Sequence, residues 1–355
     1  MNIAVTAGLS DKKLLSKLEP LLQNVKIDKI YLYRKTPLSH EKVINRLSGK
    51  VNSYLFFEIV RFFRLLIDSF RFKFDCYIGV YVFLHGIQAF IAGKFFRKPI
   101  IQLLPGSDVR YIVGKKRFVS ILKSSDFLVT RGKITNSELI DLGINEDKLF
   151  VIPNLFNFSK IDSSTSNNEY RYDLVHVGNL IHRKRIDILL KSIHLVVTKY
   201  KMNYINLALV GDGPLEQNLK QLAFDLGIEK NVHFLGNQTN VNSYLKQSQI
   251  FIMTTEYEGQ PQAMIEALAH GMPCIMPEVT NIPELAIHNY NSLIVKPLDV
   301  EGFSDAIFRI FTDEEFYLKL KNGAQKFRSE HEYEFSLDNV INKWSEIIDS
   351  ITNKL

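Results

Sequence analysis

Only two cysteines occur in the 355 residues, Cys76 and Cys274, and each sits among apolar neighbours. They are too few for a disulfide framework or a cysteine-based zinc cluster, so a reduced compartment is expected. Long hydrophobic runs are also missing. The most apolar stretch, 80–96, is interrupted by His85, Gln88 and Lys94, unlike a bilayer-spanning helix. Met1-Asn-Ile-Ala-Val5 runs straight into a strand pattern with no basic segment followed by an apolar core, so no signal peptide is expected. There is no Gly-x-x-x-x-Gly-Lys-Ser/Thr run, which excludes a P-loop nucleotidase. The glycine turn at Val210-Gly-Asp-Gly-Pro214 carries Glu216 where the dinucleotide fingerprint needs a third glycine, and the next strand does not end on an acid placed for a ribose. That argues against a dehydrogenase. None of the usual nucleic-acid recognition modules is visible, so nucleic acid is not an expected partner.

What is present fills two ordinary cores: 46% of the chain is apolar, and aromatics are well represented. The net charge of +6 conceals an asymmetry. Residues 1–160 hold 26 Lys+Arg against 13 Asp+Glu, whereas 161–355 hold 18 against 25. The first half therefore suits an acidic partner, such as an anionic membrane leaflet or a phosphorylated or lipid-pyrophosphate acceptor.

Apolar runs alternate with helix-period segments in both halves, which predicts parallel sheets wound with helices. In the first half the strands are expected near 2–6, 29–33, 76–79, 100–104, 127–130 and 150–152. In the second they are expected near 173–177, 205–210, 232–235, 250–253, 274–276 and 292–295. The polar, aperiodic segment 161–170 reads as a linker between domains 1–160 and 171–334. Residues 335–355 space Leu337, Val340, Trp344, Ile347, Ile348 and Ile351 as one helix face, expected to dock back on the first domain. Tyr54 to Phe74 interleaves aromatics with Arg61, Arg64, Arg71 and Lys73. It reads either as a basic amphipathic helix on a membrane surface or as a helix packed on a sheet with its arginines solvated.

The chemistry concentrates at Glu258-Gly-Gln-Pro-Gln-Ala-Met-Ile-Glu266. There Pro261 opens a helix that Gly271 and Pro273 end. Glu258 is expected on the loop before it, and Glu266 inside on its second turn. A buried carboxylate needs a hydroxyl or a cation, because removing the partner of a buried charge costs roughly 3–5 kcal/mol. Two acceptors beside free helix N–H groups suit a sugar, a ribose and a phosphate; the alternative is a helix cap and a core salt bridge. In His176-Val-Gly-Asn-Leu-Ile-His-Arg-Lys-Arg-Ile-Asp187, a glycine turn after a strand places Arg183, Lys184 and Arg185 at a helix start. Cations are unfavourable at that end unless an anion compensates; otherwise the run is a solvated turn.

In this order and spacing, these stretches resemble the retaining glycosyltransferases of the two-Rossmann-domain type, the group 1 glycosyl transferases with the GT-B fold. The resemblance is strongest over about 173–310. It includes His233-Phe-Leu-Gly236, Ala269-His-Gly-Met-Pro273, Ile282-Pro-Glu284 and Asn291-Ser-Leu-Ile-Val-Lys-Pro297. Thr6-Ala-Gly-Leu9, Gly106-Ser-Asp108 and Val151-Ile-Pro-Asn154 match more loosely. The resemblance implies α/β architecture with two Rossmann-like domains facing across a cleft, the first for acceptor and the second for donor. It implies Glu258, Glu266 and Lys184 as catalytic residues. Glu266 would hold the ribose hydroxyls, Glu258 the transferred sugar, and Lys184 with Arg183 the diphosphate. Gly8 would let the backbone approach that diphosphate, Asn237 would meet the base, and Gly211, Gly259, Gln260 and Pro261 would complete the donor contacts. The donor would be a UDP- or GDP-sugar. No permanently bound cofactor and no metal are expected, since basic side chains and helix N-termini neutralise the leaving group.

The acceptor would be a glycan or lipid-linked sugar of polysaccharide, lipopolysaccharide or capsule assembly. The implied enzyme is cytoplasmic and peripheral on the inner face of the cell membrane. A catalytically silent sugar-nucleotide-binding protein of the same fold is the alternative. Front-face attack with retention is the simplest implied mechanism; Glu258 is a sugar-positioning residue first and a nucleophile second. Three positions depart from the family. Pro105 replaces a histidine, Asn179 replaces an arginine, and Arg185 replaces the glycine after the lysine. Arg185 and His85 are the candidates to compensate; His85 otherwise reads as a satisfied histidine at a helix start.

Overall fold

The computed structural model describes residues 1–47, 53–106, 109, 112, 114–161 and 171–353. Ser107 and Asp108 of the Gly-Ser-Asp element, and residues 162–170 of the expected 161–170 linker, lie outside them. The chain forms two compact units, Met1–Phe156 with Tyr333–Leu355, and Asn157–Glu332. Its helices are α1 (Asp11–Gln23), α2 (Tyr54–Phe72), α3 (Ile87–Phe96), α4 (Lys116–Ser124), α5 (Lys133–Asp141), α6 (Ile186–Thr198), α7 (Glu216–Asp225), α8 (Val241–Lys246), α9 (Gln262–Ala269), α10 (Val300–Thr312), α11 (Glu314–His331) and α12 (Leu337–Thr352).

The first unit holds a seven-stranded sheet of β1 (Asn2–Thr6), β2 (Lys29–Tyr33), β3 (Val43–Leu47), β4 (Cys76–Val80), β5 (Ile100–Leu103), β6 (Phe127–Thr130) and β7 (Leu149–Val151). Its order is β3-β2-β1-β4-β5-β6-β7, and every pairing is parallel. The inner strands are buried on both faces, which is why they read as continuous apolar runs. The chain winds outward from β1 to β3, then returns to lay β4 beside β1. A crevice opens beyond the strand ends at such a reversal. α12 buries Val340, Trp344, Ile347, Ile348 and Ile351 in the same core as Leu14, Leu18 and Leu21 of α1, so the terminal helix does dock on the first sheet's unit. Asn24 Nδ2 donates to Ser345 Oγ at 3.0 Å, adding a polar clasp.

α2 corrects the sequence reading. Arg61 is not a surface cation: it is 1% exposed, ion-paired with Glu58, and its Nε donates to Gln88 Oε1 at 2.9 Å. Asp68, also buried, accepts from Arg46 at 2.7 Å, Arg64 at 3.2 Å and the Tyr33 hydroxyl at 3.0 Å. Both acids of the helix therefore point inward with partners, and its outer face is apolar: Tyr54, Phe56, Phe63, Ile67 and Phe70 are exposed.

The second unit carries a six-stranded parallel sheet of β8 (Tyr172–Val177), β9 (Leu207–Val210), β10 (Val232–Phe234), β11 (Ser248–Ile252), β12 (Cys274–Pro277) and β13 (Ser292–Val295), ordered β10-β9-β8-β11-β12-β13. Here the reversal falls between β8 and β11, paired at Leu174 with Ile250 and at Val175 with Phe251. α6 and α10 close one face over Leu189, Ile193, Phe303 and Ile307, all fully buried.

Candidate functional site

The loops leaving β8 and β11 meet because their strands are neighbours, and side chains then lace them together. Thr254 Oγ1 lies 3.2 Å from the Lys184 carbonyl and 2.9 Å from that of Arg185. Thr255 Oγ1 and the Glu256 N–H each donate to the Arg183 carbonyl at 3.0 Å, and Arg183 Nη1 returns to the Tyr257 carbonyl at 3.2 Å. On this frame Lys184 closes a short 3₁₀ turn, His182–Lys184, and is buried. Its Nζ lies 2.7 Å from Glu258 Oε1, and Arg183 Nη1 lies 2.8 Å from the same oxygen. The Glu258 side chain is 13% exposed. Its loop is fixed from the β12 side: the Glu258 N–H donates to Thr280 Oγ1 at 3.3 Å, that hydroxyl donates to the Glu258 carbonyl, and Asn281 Nδ2 donates to the Gly259 carbonyl at 2.9 Å. Two cations on one carboxylate leave a net positive charge, partly withdrawn from water, where a second anion is attracted.

Glycines let the loops approach. Gly211 has φ +136°, and a Cβ there would stand 2.1 Å from the Gly178 carbonyl oxygen, so no side chain fits. Its N–H donates to the Gly236 carbonyl at 2.8 Å, bringing in the loop that carries the exposed Asn237. Beneath Gly178 lies His176, fully buried. Its Nδ1 is 3.0 Å from the Ile252 carbonyl, an acceptor only, so that nitrogen carries the ring proton. Nε2 has no partner among the described residues. Burial first, and the Lys184 charge second, lower the His176 pKa to about 3 and keep the ring neutral.

The helix after Glu258 begins at Gln262, not at Pro261, which serves as its extended N-cap. It ends through His270 and Gly271, whose φ is +67°. Glu266 is on the second turn as expected but is half-buried rather than sunk in the core. Gly259 and Gln260 are buried in the intervening loop. Arg185 does not supply the missing guanidinium at this cluster. It grips Asp187 through Nε and Nη2 at 2.9 and 2.8 Å, and Glu256 through Nη1 at 2.8 Å. Its left-handed φ of +49° is the conformation a glycine favours, and glycine is what the resemblance places there. Arg183 is instead the guanidinium that shares Glu258. A 450 Å³ cavity adjoins Arg185, lined by His182, Asp187, Leu215 and Asn218, but it does not reach Glu258 or Lys184. Its charged wall is already self-paired, Arg185 with Asp187 and Glu256, whereas the Glu258 cluster holds two cations on one acid.

Gly8 and His85 belong to the first unit, where a Cβ on Gly8 would stand 2.5 Å from the His85 ring. Sequence reasoning missed the threonines at 254, 255 and 280, which hold the loops, and gave no role to His176. The signal for His176 was a lone histidine in an apolar strand. Among the described residues, no cluster of three or more His, Cys, Asp or Glu is placed to hold a metal ion.

Residues 157–327 match the family described as glycosyl transferases group 1. The chain is 28% identical over 273 residues, 70% of each chain, to N-acetyl-alpha-D-glucosaminyl L-malate synthase of Bacillus anthracis. It is 24% identical over 221 residues to poly(ribitol-phosphate) alpha-N-acetylglucosaminyltransferase of Staphylococcus aureus, covering 61% of this chain and 43% of that relative. Among solved structures, HepE of Anabaena in complex with UDP and glucose superposes with a TM-score of 0.77 at 15% identity, over 99% of this chain and 100% of that one.

Proposed function

We propose that this chain, a glycosyltransferase that belongs to the group 1 family and has the GT-B fold, transfers a hexosyl unit from a UDP- or GDP-sugar to a hydroxyl of a cell-surface glycan or its lipid-linked precursor, with retention. The observation that carries this reading is the convergence of Lys184 and Arg183 on Glu258. A leaving nucleoside diphosphate gains negative charge as the sugar–oxygen bond breaks, and the two cations stabilise that charge in place. As the diphosphate draws them away, Glu258 is released toward the electron-poor anomeric carbon. The acceptor oxygen bonds to that carbon on the face the phosphate leaves, and its proton passes to the departing phosphate oxygen. Glu266 takes the ribose hydroxyls. UDP is favoured because the HepE neighbour is described in complex with it, and the two curated relatives are named for N-acetylglucosaminyl products or transfer.

Glu266→Gln tests the donor assignment. UDP stabilises a folded binder by mass action, so wild type should show a concentration-dependent rise in Tm. Losing the charged acceptor of two hydroxyls should weaken UDP by about tenfold or more. An unchanged UDP shift in the variant would remove Glu266 from the ribose site. A silent binding protein would show the shift and no transfer to any acceptor.

We place the enzyme at an anionic membrane surface, as a peripheral protein. Among the described residues, no helix is long and apolar enough to cross a bilayer. Support comes from α2 and α3: Phe63 is 58% exposed, Phe70 69% and Phe95 66%, and Phe70 meets Phe95 with centroids 6.2 Å apart. Exposed Arg71, Lys73 and Lys94 edge this face, and both acids of α2 are turned inward. Aromatics with a cationic rim suit an anionic interface. The double variant Phe63→Glu/Phe70→Glu should lose co-sedimentation with phosphatidylglycerol vesicles, by about tenfold or more, while keeping its UDP shift. Equal vesicle binding by variant and wild type would end this reading.

A further inference from the structure

The first unit has its own polar cavity, at the place where its own sheet reverses. The loops after β1, β4 and β2 bring Gly8, His85 and Arg34 to the wall of a space of about 210 Å³. Two wall side chains are more than nine-tenths buried and incompletely bonded. Arg34 is 4% exposed; its Nη2 binds Asp11 at 2.6 Å and the Thr36 hydroxyl, but Nη1 has no partner among the described residues. His85 is 8% exposed, and its Nε2 is likewise without a partner. A hydrogen bond to the Val80 backbone favours the proton on its other nitrogen, while burial and then the Arg61 charge lower the pKa to about 3. The ring is therefore neutral, and Nε2 offers a bare lone pair. The reading of His85 as a satisfied histidine thus fails at one nitrogen. Arg61 lines the cavity too, but Glu58 and Gln88 occupy it, so it contributes wall rather than grip.

A buried donor and a buried acceptor left open in one space call for a ligand that satisfies both. Arg34 Nη1, open although Asp11 pairs its sister nitrogen, calls for an oxygen acceptor and holds an anionic one most strongly; His85 Nε2 calls for a donor such as a hydroxyl. Gly8 and Leu9 lead into α1, a 13-residue helix whose Ser10 cap position makes no side-chain bond, so its first N–H groups add to the pull on an anion. The space is smaller than the roughly 300–1,000 Å³ of sites for drug-sized ligands, and so fits an acidic group with a few hydroxylated carbons rather than a whole nucleotide sugar.

We propose that this cavity is the acceptor-recognition site and takes a hydroxylated anion, a polyol bearing a phosphate or carboxylate, with Arg34 on the acid and His85 on a hydroxyl. Calling the ligand an acceptor rests on the transferase reading; its binding does not. The test is calorimetry on the full chain saturated with UDP, using glycerol 3-phosphate, inorganic phosphate and glycerol as probes. Glycerol 3-phosphate should bind with a Kd of about 1 mM or below, phosphate more weakly, and glycerol not measurably. Arg34→Lys, which keeps the charge facing Asp11 but not the fork, should weaken glycerol 3-phosphate by about tenfold. His85→Phe should erase its advantage over inorganic phosphate. If wild type binds UDP but not glycerol 3-phosphate, or if Arg34→Lys binds it as well as wild type, the acceptor site is refuted and the donor site stands. Equal affinity for phosphate and glycerol 3-phosphate would likewise refute it, showing an adventitious anion site. A chain that binds glycerol 3-phosphate but not UDP would instead sink the transferase reading.

Discussion

Lys184→Met should lower the turnover of sugar transfer by about 10²–10³-fold, equivalent to roughly 3–4 kcal/mol of transition-state stabilisation. The lysine is buried on a turn tied to the neighbouring loop by Thr254, so its ammonium is held in place before any ligand arrives. A cation so held acts on charge that develops on a leaving phosphate without reorganising at that moment. The variant keeps Arg183 on Glu258, so the fold should survive, but UDP should stabilise it less. Lys184→Arg should recover only part of the rate, because a planar fork cannot reproduce a point charge 2.7 Å from one oxygen. Transfer by Lys184→Met within about threefold of wild type would exclude the lysine from the leaving-group site.

Glu258→Gln separates binding from chemistry. The same oxygen that pairs with Lys184 and Arg183 competes with an incoming diphosphate for them. Neutralising it should leave UDP affinity unchanged or raised by a few fold, while transfer falls about 10³-fold or more because the anomeric centre loses its facing carboxylate. Lys184→Met thus weakens UDP whereas Glu258→Gln does not, while both lose turnover. If Glu258→Gln weakened UDP as strongly as Lys184→Met does, the carboxylate would be bracing the loop rather than facing the sugar.

The parallel sheets were legible because inner strands buried on both faces, such as β1, β4 and β5, are written as apolar runs, and twelve strands stand in the sequence close to where the structure has them. β3 was not, since Asn45 and Arg46 break its apolar run. The cationic turn and the paired acids could be picked out one by one from their spacing. Their meeting could not, because it depends on β8 and β11 being neighbours, a property of topology rather than of local pattern. Arg61 misled for a related reason. Whether a helix arginine faces water or the core is decided by what waits on the other side, here Gln88 from α3 together with Glu58 one turn back. Arg185 was misjudged because its left-handed backbone and its grip on Asp187 and Glu256 are set by the loop between strand and helix.

The return of α12 to the first unit has a consequence for how the chain is made. On the ribosome, residues 1–156 emerge early yet lack the lid formed by Trp344 and Ile348, whereas Asn157–Glu332 is contiguous and complete as soon as it clears the exit. Vectorial synthesis is then inverted: the unit translated second can mature first, and the one translated first keeps an open apolar flank until α12 has been translated.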